Sequence, residues 1–64
     1  MSYYIGMGNI RYSVVVKQGF QKYGKSFTSF ADAKFFFFDE FTGGDCTIWK
    51  VQNGKYQAVA GYSV

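Results

Sequence analysis

The spacing of apolar residues changes period as the chain proceeds, and each change predicts a new element. Gly8-Asn9 separates Tyr3 to Met7 from Ile10 to Lys17, and between those two apolar-rich runs it is a hairpin signal. A two-residue loop there sets Met7 opposite Ile10, Ile5 opposite Tyr12 and Tyr3 opposite Val14, all on one apolar face. Beyond Val16 the chain reverses around Gln18-Gly19 into a third strand from about Phe20 to Phe27. Lys22, Gly24 and Lys25 give that strand poor intrinsic propensity.

From Phe30 to Phe41 the spacing lengthens to that of a helix. Ser29 is placed to cap it, with its hydroxyl accepting from the Asp32 amide and Asp32 answering in a capping box beside the positive end of the dipole. Thr42-Gly43-Gly44 is the expected stop, because glycines adopt the left-handed conformation that ends helices. Asn53-Gly54 then predicts a type I′ hairpin joining Cys46–Gln52 to Lys55–Tyr62, with Val51 opposite Tyr56 and Trp49 opposite Ala58. Lys50, Gln52, Lys55 and Gln57 take the other face of that hairpin. The expected fold is α+β, a single compact domain over residues 1–64: a small antiparallel sheet of four to five strands with one helix packed on one face, in the order βββαββ.

The helix carries more rings than one face can hide. At 100° per residue Phe30, Ala33, Phe37 and Phe41 share a stripe, Phe38 flanks it, and Phe35 and Phe36 point toward the opposite half. Leaving a phenylalanine exposed forgoes about 1.5 to 3 kcal/mol of burial. Two such rings from each of two protomers would contribute on the order of 6 to 12 kcal/mol gross, against an association cost of about 4 to 15 kcal/mol. Phe35, Phe36, Phe38 and Tyr62 are therefore the candidate partner or dimer interface, with Val64 and the sheet edges as further contacts.

Composition narrows the chemistry. Sixty-four residues lie near the lower size at which a domain folds without staples, and an aromatic content of 23% compensates by placing large apolar area in few positions. The single Cys46 has no partner for an internal disulfide, and the absence of histidine removes Cys/His metal sites, so no metal or cofactor is expected. A reducing cytoplasm is the natural setting; no signal peptide pattern and no apolar run of about eighteen residues is present, so neither export nor a membrane is expected. Asp39 and Glu40 are adjacent, diverge by about 100° on a helix and cannot straddle a substrate. Cys46 has only Lys50 as a nearby base and reads as a structural strand residue. Gly6-Met7-Gly8 and Gly43-Gly44 lack the context of a phosphate-binding loop. No enzyme and no small-molecule substrate is expected.

The net charge of +3 is unevenly spread: Arg11, Lys17, Lys22 and Lys25 precede the helix, whereas Asp32, Asp39, Glu40 and Asp45 fall in or just after it. Strand parity puts Arg11, Ser13, Lys17 and Lys22 on the face opposite the helix, joined by Lys50, Gln52, Lys55 and Gln57 if the second hairpin enters the same sheet. With Tyr4 as a stacking ring, that face is a candidate nucleic-acid surface. The competing explanation is that a strand buried on one side shows lysine on the other for solubility. Over Tyr3 to Phe41, the three strands followed by a helix that begins in KSFTSFADA are similar in outline to DNA-binding modules of the AP2 and integrase arm type, an outline that many α+β domains share. That resemblance implies DNA contact through the sheet face away from the helix. The leading expectation is nevertheless a homodimeric, non-enzymatic binding module that occupies a surface of another protein. Small aromatic-rich domains without site chemistry suit stoichiometric inhibitors or adaptors of the kind encoded by phages and mobile elements. Nucleic-acid binding is the alternative.

Overall fold

A computed structural model describes residues 10–64. Within them the order is β1 (Arg11–Gln18), β2 (Gln21–Phe27), α1 (Phe30–Glu40), β3 (Asp45–Gln52) and β4 (Lys55–Ser63). The strands form one antiparallel sheet in the order β2-β1-β3-β4. Four strands in the order ββαββ thus replace the expected βββαββ arrangement. The proposed strand Tyr3 to Met7 lies outside the described residues. The partners assigned to it are engaged on both sides, however: Tyr12 faces Phe27 and Lys50, and Val14 faces Lys25 and Ile48. Both edges of β1 are thus filled, which suits Val14-Val15-Val16 to a central strand.

The two tight turns follow their sequences. Gly19, at φ +60°, is the first central residue of the β1–β2 turn, as a type II′ hairpin requires, and leaves Phe20 fully exposed at its tip. Asn53 and Gly54 both have positive φ, 54° and 75°, which is the type I′ arrangement that Asn-Gly favours.

Helix α1 begins where expected but is capped differently. Ser29 is extended at the N-cap and makes no side-chain cap bond, so the anticipated box with Asp32 does not form; its carbonyl accepts from the Ala33 amide at 3.1 Å. At the other end Phe41 is extended and its N–H donates to the Phe37 carbonyl, so the helix stops before the glycines rather than through a left-handed cap. Gly44 is needed for another reason. With φ +117°, any Cβ there would sit 2.6 Å from the Lys17 carbonyl oxygen, and the Gln18 side-chain amide donates to the Gly43 carbonyl at 2.6 Å. The loop between α1 and β3 is thereby pressed against the end of β1.

The core lies between α1 and one face of the sheet. Val14, Val16, Ala33, Phe37, Cys46 and Ile48 are buried, and Tyr12, Phe27, Phe30, Phe36, Phe41, Ala60 and Tyr62 pack around them. Tyr62 and Ala60 reach this face because β4 contains a bulge: Trp49 pairs with Ala58, but Ile48 pairs with Ala60, leaving Val59 as the extra residue. The bulge switches strand parity. Below it, even-numbered residues of β4 face the helix; above it they face away.

Candidate functional site: two apolar surfaces on opposite sides of the sheet

The first surface is on α1. Phe35 and Phe38, one turn apart, are 56% and 45% exposed. The Phe38 ring meets Tyr62 edge-on at 5.0 Å, Phe37 stacks on the other side of the cluster at 6.4 Å from the same tyrosine, and the Lys34 ammonium lies 6.0 Å from that ring. Phe36, by contrast, is half-buried in its own chain. Its ring centre is 5.5 Å from Phe27 and 5.3 Å from Phe41, and the Lys25 ammonium sits 5.5 Å from both Phe27 and Phe36. The helical wheel sends Phe36 away from the stripe, but α1 crosses over β1 and β2, and the edge strand supplies Phe27 and Lys25 to receive it. Among the described residues Phe35 has no such aromatic neighbour.

The second surface is the face of the sheet turned away from α1, here called the far face. Register places Arg11, Ser13, Val15 and Lys17 of β1 there, flanked by Lys22, Gly24 and Ser26 of β2 and by Asp45, Thr47, Trp49 and Val51 of β3. Above the bulge, Tyr56 and Ala58 of β4 join them opposite Val51 and Trp49; below it come Gly61 and Ser63. Among the described residues no element lies over this face. Its apolar side chains are Val15, Trp49 and Val51, half-buried, and Tyr56, 67% exposed, and they are interspersed with Ser13, Ser26 and Thr47. Two side-chain hydrogen bonds cross this face: Arg11 Nε donates to Ser26 Oγ at 2.9 Å, and Ser63 Oγ donates to Asp45 Oδ1 at 2.6 Å.

The candidate basic residues divide between the two faces. Arg11, Lys17 and Lys22 share the far face as expected. The second hairpin does enter the same sheet, yet Lys50 and Lys55, with Gln52 and Gln57, lie on the helix side, since Lys50 pairs with Tyr12 on the same face as Val14 and Ile48. Tyr4 lies outside the described residues. Trp49, Val51, Tyr56 and Ala58 were not anticipated as far-face residues. A signal for them existed: Ile48 and Trp49 are neighbours in a strand, so only one can enter the core.

Cys46 is 2% exposed within the core, and burial pushes its thiol pKa up, away from the thiolate a nucleophile needs. Among the described residues there is no cavity, no group of three potential metal-ligating side chains, and no helix long and apolar enough to cross a membrane. No protein-family model, curated protein or solved structure matches the chain.

Proposed function

We propose that this protein is a non-enzymatic, homodimeric binding module of a reducing cytoplasm that acts by occupying a surface of another protein, in the manner of a phage- or mobile-element-type inhibitor or adaptor. The observation that carries this reading is the exposed pair Phe35 and Phe38 on α1, rimmed by Tyr62. Aromatic anchors of this kind dominate the energetics of protein interfaces, and a helix presenting them one turn apart can enter an apolar groove. Asp32 and Asp39, on the same exposed side of the helix, supply a polar rim that favours a partner with basic residues around such a groove. The test is a nuclease-treated pull-down with wild type and a Phe35→Ser/Phe38→Ser variant as parallel baits. Circular dichroism first establishes that the variant is folded. A protein captured stoichiometrically by wild type and lost by the variant supports the reading; equal capture by both overturns the helix surface as the site.

Nucleic-acid binding is the second reading, favoured by the grouping of Arg11, Lys17 and Lys22 with Trp49 and Tyr56 on the far face. Three cations on that face, with Asp45 directly beside Lys17, make a thinner electrostatic footprint than the seven lysines and arginines of the chain suggest. Fluorescent single- and double-stranded probes titrated at low and high salt decide it. Tight binding that weakens steeply with salt and disappears in Lys17→Glu/Lys22→Glu would give this reading first place.

A further inference from the structure

We propose that the far face is where two copies of this chain meet, sheet against sheet, about a two-fold axis that runs parallel to the strands between β1 and β3. This rests on the homodimeric part of the reading above and assigns it to a surface other than the helix, leaving Phe35 and Phe38 turned outward for a different protein.

The argument for a second copy comes from the arrangement of charge and bulk. Successive rows across the sheet, in the order β2, β1, β3, β4, read Ser26-Ser13-Trp49-Ala58, then Gly24-Val15-Thr47-Gly61, then Lys22-Lys17-Asp45-Ser63. Arg11, Val51 and Tyr56 form the row at the opposite end from the lysines. Rotation about an axis parallel to the strands exchanges the β2–β1 half with the β3–β4 half and leaves each row level with itself. Lys17 of one copy then faces Asp45 of the other, and Lys22 faces Ser63. Trp49, the largest side chain of the surface, falls over Ser13, among the smallest, while Gly24 meets Gly61 and Ser26 meets Ala58. A two-fold axis across the strands does the reverse, since it sets Lys17 of one copy on Arg11 of the other. The charges thus favour an axis along the strands over an axis across them.

The size is adequate. Four strands at about 4.8 Å spacing and four alternate residues at about 6.7 Å give a face of roughly 500 Å² in projection. Side-chain relief raises the accessible area toward the ~800 Å² per partner of a standard interface. Sheets packed in this way cross at about −30°, which keeps the central rows in register and leaves the lysine row within reach of its carboxylate.

Charge reversal with mixing tests this directly. Asp45→Lys and Lys17→Asp are made separately, and each is confirmed folded by its circular dichroism melt. Sedimentation and Trp49 emission are then measured across a dilution series. Each variant alone juxtaposes like charges and should dissociate about 100-fold more readily than wild type, with Trp49 emission shifted to the red. Mixed in equal amounts, the two should form a 1:1 heterodimer, because every Lys–Asp pairing across the axis is restored. Repair of the neighbouring Lys17–Asp45 pair within one chain cannot produce that outcome. A wild type that is monomeric at high micromolar concentration overturns the proposal, as does a dimer indifferent to both reversals. So does Trp49 emission that is independent of concentration and reddens only when residues 1–9 are removed, which would assign the face to that segment. Loss of dimer in Phe35→Ser/Phe38→Ser with retention in the charge variants would return the interface to the helix. The protein-capture experiment is read independently of all of these.

Discussion

Val14 and Val16 are sealed beneath the helix, whereas Val15 between them lies half-buried on the far face. The same contrast repeats in β3, where Cys46 and Ile48 enter the core and Trp49 and Val51 turn away. A half-exposed antiparallel sheet ordinarily alternates apolar with polar residues so that its outer face is wetted. Here that rule holds at the lysine row and at Ser13, Ser26 and Thr47, and fails at Val15, Trp49, Val51 and Tyr56. The helix-covered face holds the buried core of the described residues, whereas Val15, Trp49, Val51 and Tyr56 of the far face stay partly exposed. In the proposed dimer a second copy of the chain covers these side chains.

The sharpest way to break this division is to remove bulk from the covered face. Phe37 is 1% exposed and its ring adjoins Phe38, Phe41 and Tyr62. Phe37→Ala deletes the largest side chain fully enclosed in the core and should cost about 3–5 kcal/mol. A domain of this size commonly has total stability in that range, so the variant should show no cooperative thermal transition by circular dichroism. A melt close to that of wild type would mean that the cluster between α1 and the sheet is not what holds the fold.

A finer comparison uses the three consecutive valines, which keep chemistry constant while the face alternates. Val14→Ala and Val16→Ala each remove two methyl groups from a site with no exposure and should lower urea-derived stability by about 2 kcal/mol. Val15→Ala, measured at concentrations low enough to keep the chain dissociated, should cost less than about 1 kcal/mol. Raising the concentration should widen the gap between wild type and Val15→Ala, because stability linked to association grows with protomer concentration. Equal losses at all three positions, whatever the concentration, would show that both faces are sealed within a single chain.

How much of this was legible in the sequence depends on the range of the forces involved. The Asn53-Gly54 turn, the Trp49–Ala58 and Val51–Tyr56 pairs and the helix start at Phe30 are set by neighbours in the chain, and they stand as their residues indicate. Among the described residues there is no fifth strand: β1 is paired on both sides, with β2 and with β3 some thirty residues away, a long-range choice that local patterns do not decide. Lys50 and Lys55 lie on the helix side, against the expected far face, for a related reason. Within β3, parity is fixed by which of Ile48 and Trp49 enters the core, and in β4 it reverses at Val59. A bulge leaves little mark in the hydrophobic pattern of one strand read alone. On the helix, the count of rings correctly indicated that some would stay outside, but the wheel could not show that Lys25 and Phe27 would take in Phe36.

That last distinction gives the smallest expected effect and the cleanest separation of folding from function. Phe35 has its ring largely in solvent, so Phe35→Ser should change folding stability by no more than about 0.5 kcal/mol. Phe36→Ser removes a ring that touches Phe27 and Phe41 and carries the Lys25 ammonium above it, and should cost about 1–3 kcal/mol. The two positions are adjacent, have the same residue and lie on the same exposed side of an idealised helix, so nothing local separates them. Parallel urea titrations that gave indistinguishable midpoints would mean that Phe36 does not rest against β2. The helix would then present both rings, and the partner surface on α1 would have to be redrawn around Phe35 and Phe36.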